Sequence, residues 1–161
     1  MTDGLTGALT FIAAIGSALV AGVFFAFSSF VMKALARIPP PQGIAAMQSI
    51  NVAVINPVFM TAFLGTAGVC AALAVVSLFR WHEPGSGCRL VGSLLYPVGT
   101  VLATMRFNVP RNDALAVLDP ASDEAARLWP RYVTGWTAWN HVRTAAALAA
   151  AASFALTLRA R

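Results

Sequence analysis

Charge is scarce in this sequence, and negative charge scarcest. Only 11% of its 161 residues are Asp, Glu, Lys or Arg, and six are acids. A soluble globular domain carries roughly 25% charged residues. So few charges cannot cover the surface of a chain this size in water, which excludes an ordinary soluble domain. No charged residue lies between Asp3 and Lys33, and none between Arg37 and Arg80. Two cysteines, Cys70 and Cys88, do not make a disulfide framework and read as free thiols. With only two histidines, His82 and His141, on different segments, a non-haem iron triad cannot be assembled by this chain alone. No metal or other cofactor is expected; haem on a single His is compatible with the count but has no feature in its favour. No glycine-rich phosphate loop or nucleophile elbow occurs, and His141 has no convincing acid partner for a Ser–His–acid triad.

What is present is apolar: 58% of residues are hydrophobic, and the mean hydropathy is +0.73. A bilayer-spanning helix needs about 20 mostly apolar residues. Spans are expected over about 5–32, 57–79, 90–107 and 135–158, with short interfacial helices over about 43–52 and 122–134. The fold class is therefore all-α, a four-transmembrane-helix bundle forming one membrane domain over 1–161, with the lipid bilayer as its solvent. The first apolar run is too long for a signal peptide and lacks a basic leader. The net charge of +5 does not indicate nucleic acid. Its cations are scattered at the ends of apolar segments, where they meet headgroups, and form no stripe.

Several local signals refine this picture. Ala14, Ala18, Gly22 and Ala26 recur every four residues, a stripe allowing close helix approach within the chain or between copies in a homo-oligomer. Phe24, Phe25, Phe27 and Phe30 either face lipid and neighbouring helices or wall an apolar cavity. Ile38-Pro39-Pro40-Pro41 ends the first helix, Asn56-Pro57 starts the second span, and Pro97 predicts a kink in the third.

Polar groups at membrane depth are expensive and hence functional candidates. On a helix, Trp129, Tyr132, Trp136, Asn140 and Arg143 fall at spacings of three and four and form one stripe, bordered by Trp139. His141 belongs to a second polar face with Thr134, Thr137 and Thr144. The plainer alternatives are an interfacial aromatic belt, an arginine snorkelling to headgroups and a packing histidine. Asn108 and Asn112 bracket Pro110, where asparagines are ordinarily turn residues. In a four-span bundle the 1–2 and 3–4 connections share one side. Gln48, Asn51, Asn56, Asn108, Arg111, Asn112, Trp136, Asn140, His141 and Arg143 should then gather there as a polar pocket sunk into one end.

Gln48-Ser49-Ile50-Asn51 with Asn56-Pro57, Asn108-Val109-Pro110-Arg111-Asn112, and Trp136-Thr137-Ala138-Trp139-Asn140-His141-Val142-Arg143-Thr144 resemble the DUF1772 family. These are small four-helix membrane proteins grouped with fungal anthrone oxygenases. The resemblance implies oxidation of a lipophilic polycyclic phenol or anthrone by molecular oxygen without metal or flavin, and a multi-pass protein of the bacterial inner (cytoplasmic) membrane. It implies His141 as base, with Arg143, Asn140 and Asn108 stabilising the oxyanion. Trp136 and Trp139 would hold the rings, while Tyr132, Asn112, Arg111, Asn51, Asn56 and Gln48 complete the substrate site. The residues themselves fit two other roles: a non-enzymatic binder or carrier of a quinone, sterol or pigment using the same pocket, and an accessory membrane subunit using the patch for docking.

Overall fold

The structure is a computed structural model and describes residues 2–160; no strand occurs among the described residues. Its helices are α1 (Gly4–Leu35), α2 (Pro40–Ala53), α3 (Pro57–Phe79), α4 (Ser86–Ala116) and α5 (Asp123–Arg159). All but α2 are long and apolar enough to cross a bilayer, and the protein is a multi-pass, four-span membrane protein. Helix α5 packs on α1 and α4, and α3 packs on α4 and α1, so the bundle closes in the order α1, α5, α4, α3. The short α2 lies over the end where α1 stops and α3 starts, in contact with α4 and α5.

The ends follow from local chemistry. Pro40 and Pro41 occupy the first turn of α2, where a missing N–H costs nothing. Asn56 caps α3 by accepting from the Phe59 amide at 3.0 Å. Gly85, at φ +79°, makes the tight reversal between α3 and α4. Ser122 caps α5, with Asp123 and Glu124 in its first turn complementing the helix dipole.

Helix α4 outruns its expected bounds of about 90–107 at both ends. It begins earlier because Arg89 does not mark a membrane boundary. That side chain is 1% exposed and turned into the bundle. Its Nε donates to Ser77 at 2.9 Å, one Nη to Ser86 at 3.1 Å, and Glu83 lies 3.6 Å away. Pro97 of α4 is absorbed by a π-helical stretch, Pro97–Leu102, whose wider turn takes up the missing donor. The segments expected separately over 122–134 and 135–158 are one continuous 37-residue helix. Pro130 is exposed on its outer side, as is Ala126, whose carbonyl loses its usual i+4 donor to the proline.

The small-residue stripe of α1 does not carry its packing. Ala18 and Gly22 are exposed, whereas Ala13, Ser17, Val20, Ala21 and Phe24 are buried. The close approaches are made by other glycines. A methyl group on Gly16 would run into the Thr66 side chain, and one on Gly99 into Ala146. Further wide turns lie at Phe27–Val31 in α1, Thr61–Gly65 in α3 and Thr104–Asn108 in α4, all in the half of the bundle nearest α2. Wide turns unlock backbone carbonyls for side chains. Tyr96 donates to the Phe63 carbonyl at 3.1 Å, and Asn140 to that of Phe24 at 2.6 Å.

Gly99→Ala should lower resistance to unfolding in mild detergent by about 1–3 kcal/mol through overpacking, because helix α5 offers no room. Gly22→Ala, with nothing near its added methyl, should be neutral or slightly stabilising. Equal effects at the two positions would refute the packing described.

Candidate functional site

The stripe on α5 points inward along its whole length: Trp129, Tyr132, Trp136, Asn140 and Arg143 are all buried. At its centre Asn140 is fully satisfied. Its amide nitrogen donates to the Phe24 carbonyl at 2.6 Å and to the Ser28 hydroxyl at 2.5 Å. Its amide oxygen accepts from Arg143 Nη2 at 2.5 Å. Because a guanidinium can only donate and a carbonyl only accept, the orientation of this amide is fixed by its neighbours.

Arg143 is 4% exposed, so it does not snorkel to a headgroup. Its other terminal nitrogen donates to the Thr104 hydroxyl at 3.0 Å. The guanidinium carbon stands 4.2 Å from the centre of the Phe24 ring and 5.0 Å from that of Trp136. Its Nε has no partner, and no carboxylate pairs with it among the described residues. This buried cation is held by dipoles and aromatic faces alone.

Above it runs a second set of bonds. Asn108 is buried and donates to the Trp136 carbonyl at 3.2 Å, while its amide oxygen is unpartnered. Asn112 accepts from both the Tyr132 hydroxyl at 2.9 Å and the Trp136 ring N–H at 3.0 Å. Asn51 reaches the Tyr132 oxygen from α2 at 3.5 Å. Gln48 donates to the carbonyls of Leu115 and Leu118 at 2.9 and 3.0 Å, which pins α2 onto the frayed end of α4. Gly43 lets α2 sit against Trp129. Trp129 in turn stacks on Tyr132, and Phe27 leans on Trp136.

Four of the expected site residues stand apart from this cluster. Asn56 is an exposed helix cap, also donating to the Ala53 carbonyl at 2.9 Å. Arg111 donates to the Phe107 carbonyl of its own helix at 2.5 Å and lies across Gly135 of α5. Trp139 is stacked on Phe107 with ring centres 3.3 Å apart, so its face is already covered. His141 points the other way. It is exposed and lines a groove of about 590 Å³ between α1 and α5, together with Ser28, Met32, Lys33, Thr134 and Thr137.

The expected single pocket is therefore two adjoining places, a closed inner network and a groove on the outer flank of α5. Ser28 joins them. Its oxygen accepts from Asn140 inside, the residue, only 3% exposed, belongs to the groove lining, and it donates to nothing among the described residues. Serines in helices ordinarily donate to the carbonyl four residues back; for Ser28 that is Phe24, and Asn140 occupies it. Thr137, one turn from His141, is also a residue of the groove lining, and its hydroxyl is buried without a partner. Ser28 was not anticipated from the sequence. The available signal was a pair of hydroxyl residues, Ser28-Ser29, inside a phenylalanine-rich stretch. A larger depression of about 780 Å³, lined by Leu118, Glu124, Arg127 and Arg131, lies on the surface near α2 and holds none of the expected site residues.

A family model described as anthrone oxygenase matches residues 59–153. That stretch holds Asn108, Arg111, Asn112, Tyr132 and Trp136 through Arg143, whereas Ser28, Gln48, Asn51 and Asn56 precede it. No curated protein and no solved structure matches the chain.

Asn112→Leu strands two inward donors, so it should cost about 2–6 kcal/mol of stability in detergent unfolding, each unmet buried group contributing about 1–3 kcal/mol. Asn56→Ala, the loss of a helix cap, should cost only about 1 kcal/mol. The reverse ranking would show that the inner network does not hold the fold.

Proposed function

Since the chain belongs to the anthrone oxygenase family, we propose that it oxidises a lipophilic polycyclic phenol or anthrone with molecular oxygen, in the groove between α1 and α5. An anthrone is a carbon acid, and its enolate is electron-rich enough to react with oxygen directly. His141 takes the proton from the methylene carbon, and Ser28 and Thr137 donate to the oxygen on which the negative charge develops. The enolate electrons pass to oxygen as a carbon–oxygen bond forms. The resulting hydroperoxide loses water, leaving a new carbonyl. One atom of O₂ enters the product and the other departs as water with the two methylene hydrogens, so no further reductant is required. The apolar lining, Met32, Ala36, Val133 and Ala138, seats the rings and limits water around the reacting carbon.

The observation that carries this reading is the position of Ser28, on the wall of the histidine-bearing groove and hydrogen-bonded to the network of the buried cation. Asn140, Arg143 and Asn108 then support the oxyanion donors from behind instead of touching the substrate. Trp136 and Trp139, occupied by Asn112 and Phe107, brace helix α5 instead of clamping the rings.

The test is oxygen consumption by the purified full chain in detergent with anthrone as substrate, alongside retention of the same compound. Wild-type protein should consume one O₂ per anthrone oxidised. His141→Ala should reduce the rate about 100-fold or more while retaining the compound. Retention by wild type without oxygen uptake would make the protein a carrier, and undiminished uptake by His141→Ala would remove the base from the scheme.

A further inference from the structure

We propose that Arg143 is a positioning residue that acts on the groove through Asn140 and Ser28, making the groove select oxygenated aromatic ligands in their anionic form. The inference rests on the groove being the ligand site, as argued above, and adds what determines which form of ligand it prefers.

The argument is one of hydrogen-bond direction. Arg143 can only donate, and it donates to the Asn140 oxygen. The Asn140 nitrogen carries two hydrogens; one goes to the Phe24 carbonyl and the other to Ser28 Oγ. Ser28 thus receives a hydrogen bond and has its own proton left over. The carbonyl four residues back, Phe24, accepts from Asn140, and Ser28 makes no bond to it. Every bond in the series points from the guanidinium toward the groove, and bonds aligned in this way polarise one another. At the far end Ser28, a buried residue of the groove lining, carries a hydroxyl with an unused proton. A phenolate or enolate oxygen accepts that proton's hydrogen bond and supplies negative charge, and the inner network contains no carboxylate to supply it.

Other charged or titratable groups could produce the same preference. From α1 the groove is lined by Lys33, from α5 by His141, and from α4 by none. Lys33 is the direct competitor, because a lysine at the groove would favour an anion without any series of bonds behind it.

The experiment uses the purified full chain in detergent and a hydroxyanthraquinone whose absorbance changes on ionisation of its phenol. The pH at which the bound dye is half-ionised is compared with that of the dye in empty micelles. In wild type it should fall by at least about one pH unit, a tenfold preference for the anion. Ser28→Ala should abolish most of that fall, and Ser28→Thr, which restores a hydroxyl, should recover it. Lys33 and His141 are present in all three proteins, so their contribution is common to them. Lys33→Gln should leave most of the fall in place. If the dye binds and Ser28→Ala titrates it as wild type does, the relay is overturned while the groove survives as the ligand site. If Lys33→Gln removes the fall, the lysine is its source and the relay is overturned. Failure of the dye to bind wild type at all would overturn the groove and the relay together.

Discussion

A guanidinium inside an apolar bundle with no carboxylate beside it has to be held by something, and the way Arg143 is held ties the helices together. Its partners come from three spans: the Phe24 ring from α1, Thr104 from α4, and Asn140 and Trp136 from α5. Each contact has to be met at once, because an unmatched polar group in low dielectric costs more than a matched one returns. The relative heights of α1, α4 and α5 are therefore set by one side chain. The wide turns at Phe27–Val31 and Thr104–Asn108 fall at the same level, where backbone and side chains must be re-spaced to reach it.

The second buried arginine shows what a solely structural cation looks like in the same protein. Arg89, at the opposite end, sits among Ser77, Ser86 and Glu83, with a carboxylate 3.6 Å away balancing its charge. It fastens the turn between α3 and α4. Arg143 has no such balance. The difference between the two lies in the countercharge and not in burial, and it is why the proposed reading gives a functional role to Arg143 and a structural one to Arg89.

How much of this was legible in the sequence depends on whether the signal was local. The four spans follow from long stretches without charge, and the start of α3 from the Asn56-Pro57 cap. That Trp129, Tyr132, Trp136, Asn140 and Arg143 share one face follows from spacing; that the face is turned inward is seen only in the structure. The beginning of α4 does not follow from sequence, because a charged residue such as Arg89 reads as a membrane boundary unless its buried partners are known. The small-residue stripe of α1 is divided: Ala14 packs against the core whereas Ala18 and Gly22 are exposed, and composition does not give direction. Ser28 was illegible for the most specific reason. Hydroxyl residues in these helices usually satisfy themselves, as Thr10 does on Thr6, Ser77 on Leu73 and Thr104 on Thr100. Ser28 instead accepts from the distant Asn140, which also donates to the Phe24 carbonyl, and keeps a proton to give. No window of sequence around residue 28 contains that fact.

On the proposed reading, the placement of α2 explains why the groove, and not the inner network, would seat a lipophilic ligand. Gln48 and Asn51 fasten α2 over the network through Leu115, Leu118 and Tyr132, and Trp129 fills the space beneath Gly43. The network is thereby sealed toward the connections, and on its flanks it is enclosed by α1, α4 and α5. A molecule dissolved in the bilayer meets the protein from the side, where α1 and α5 part along the residues of the groove. On the proposed reading, sealing and access are complementary. Keeping water and ligand away from Arg143 preserves the low dielectric in which its charge is felt at a distance, and Ser28 is the point at which that charge can be met from the lipid side.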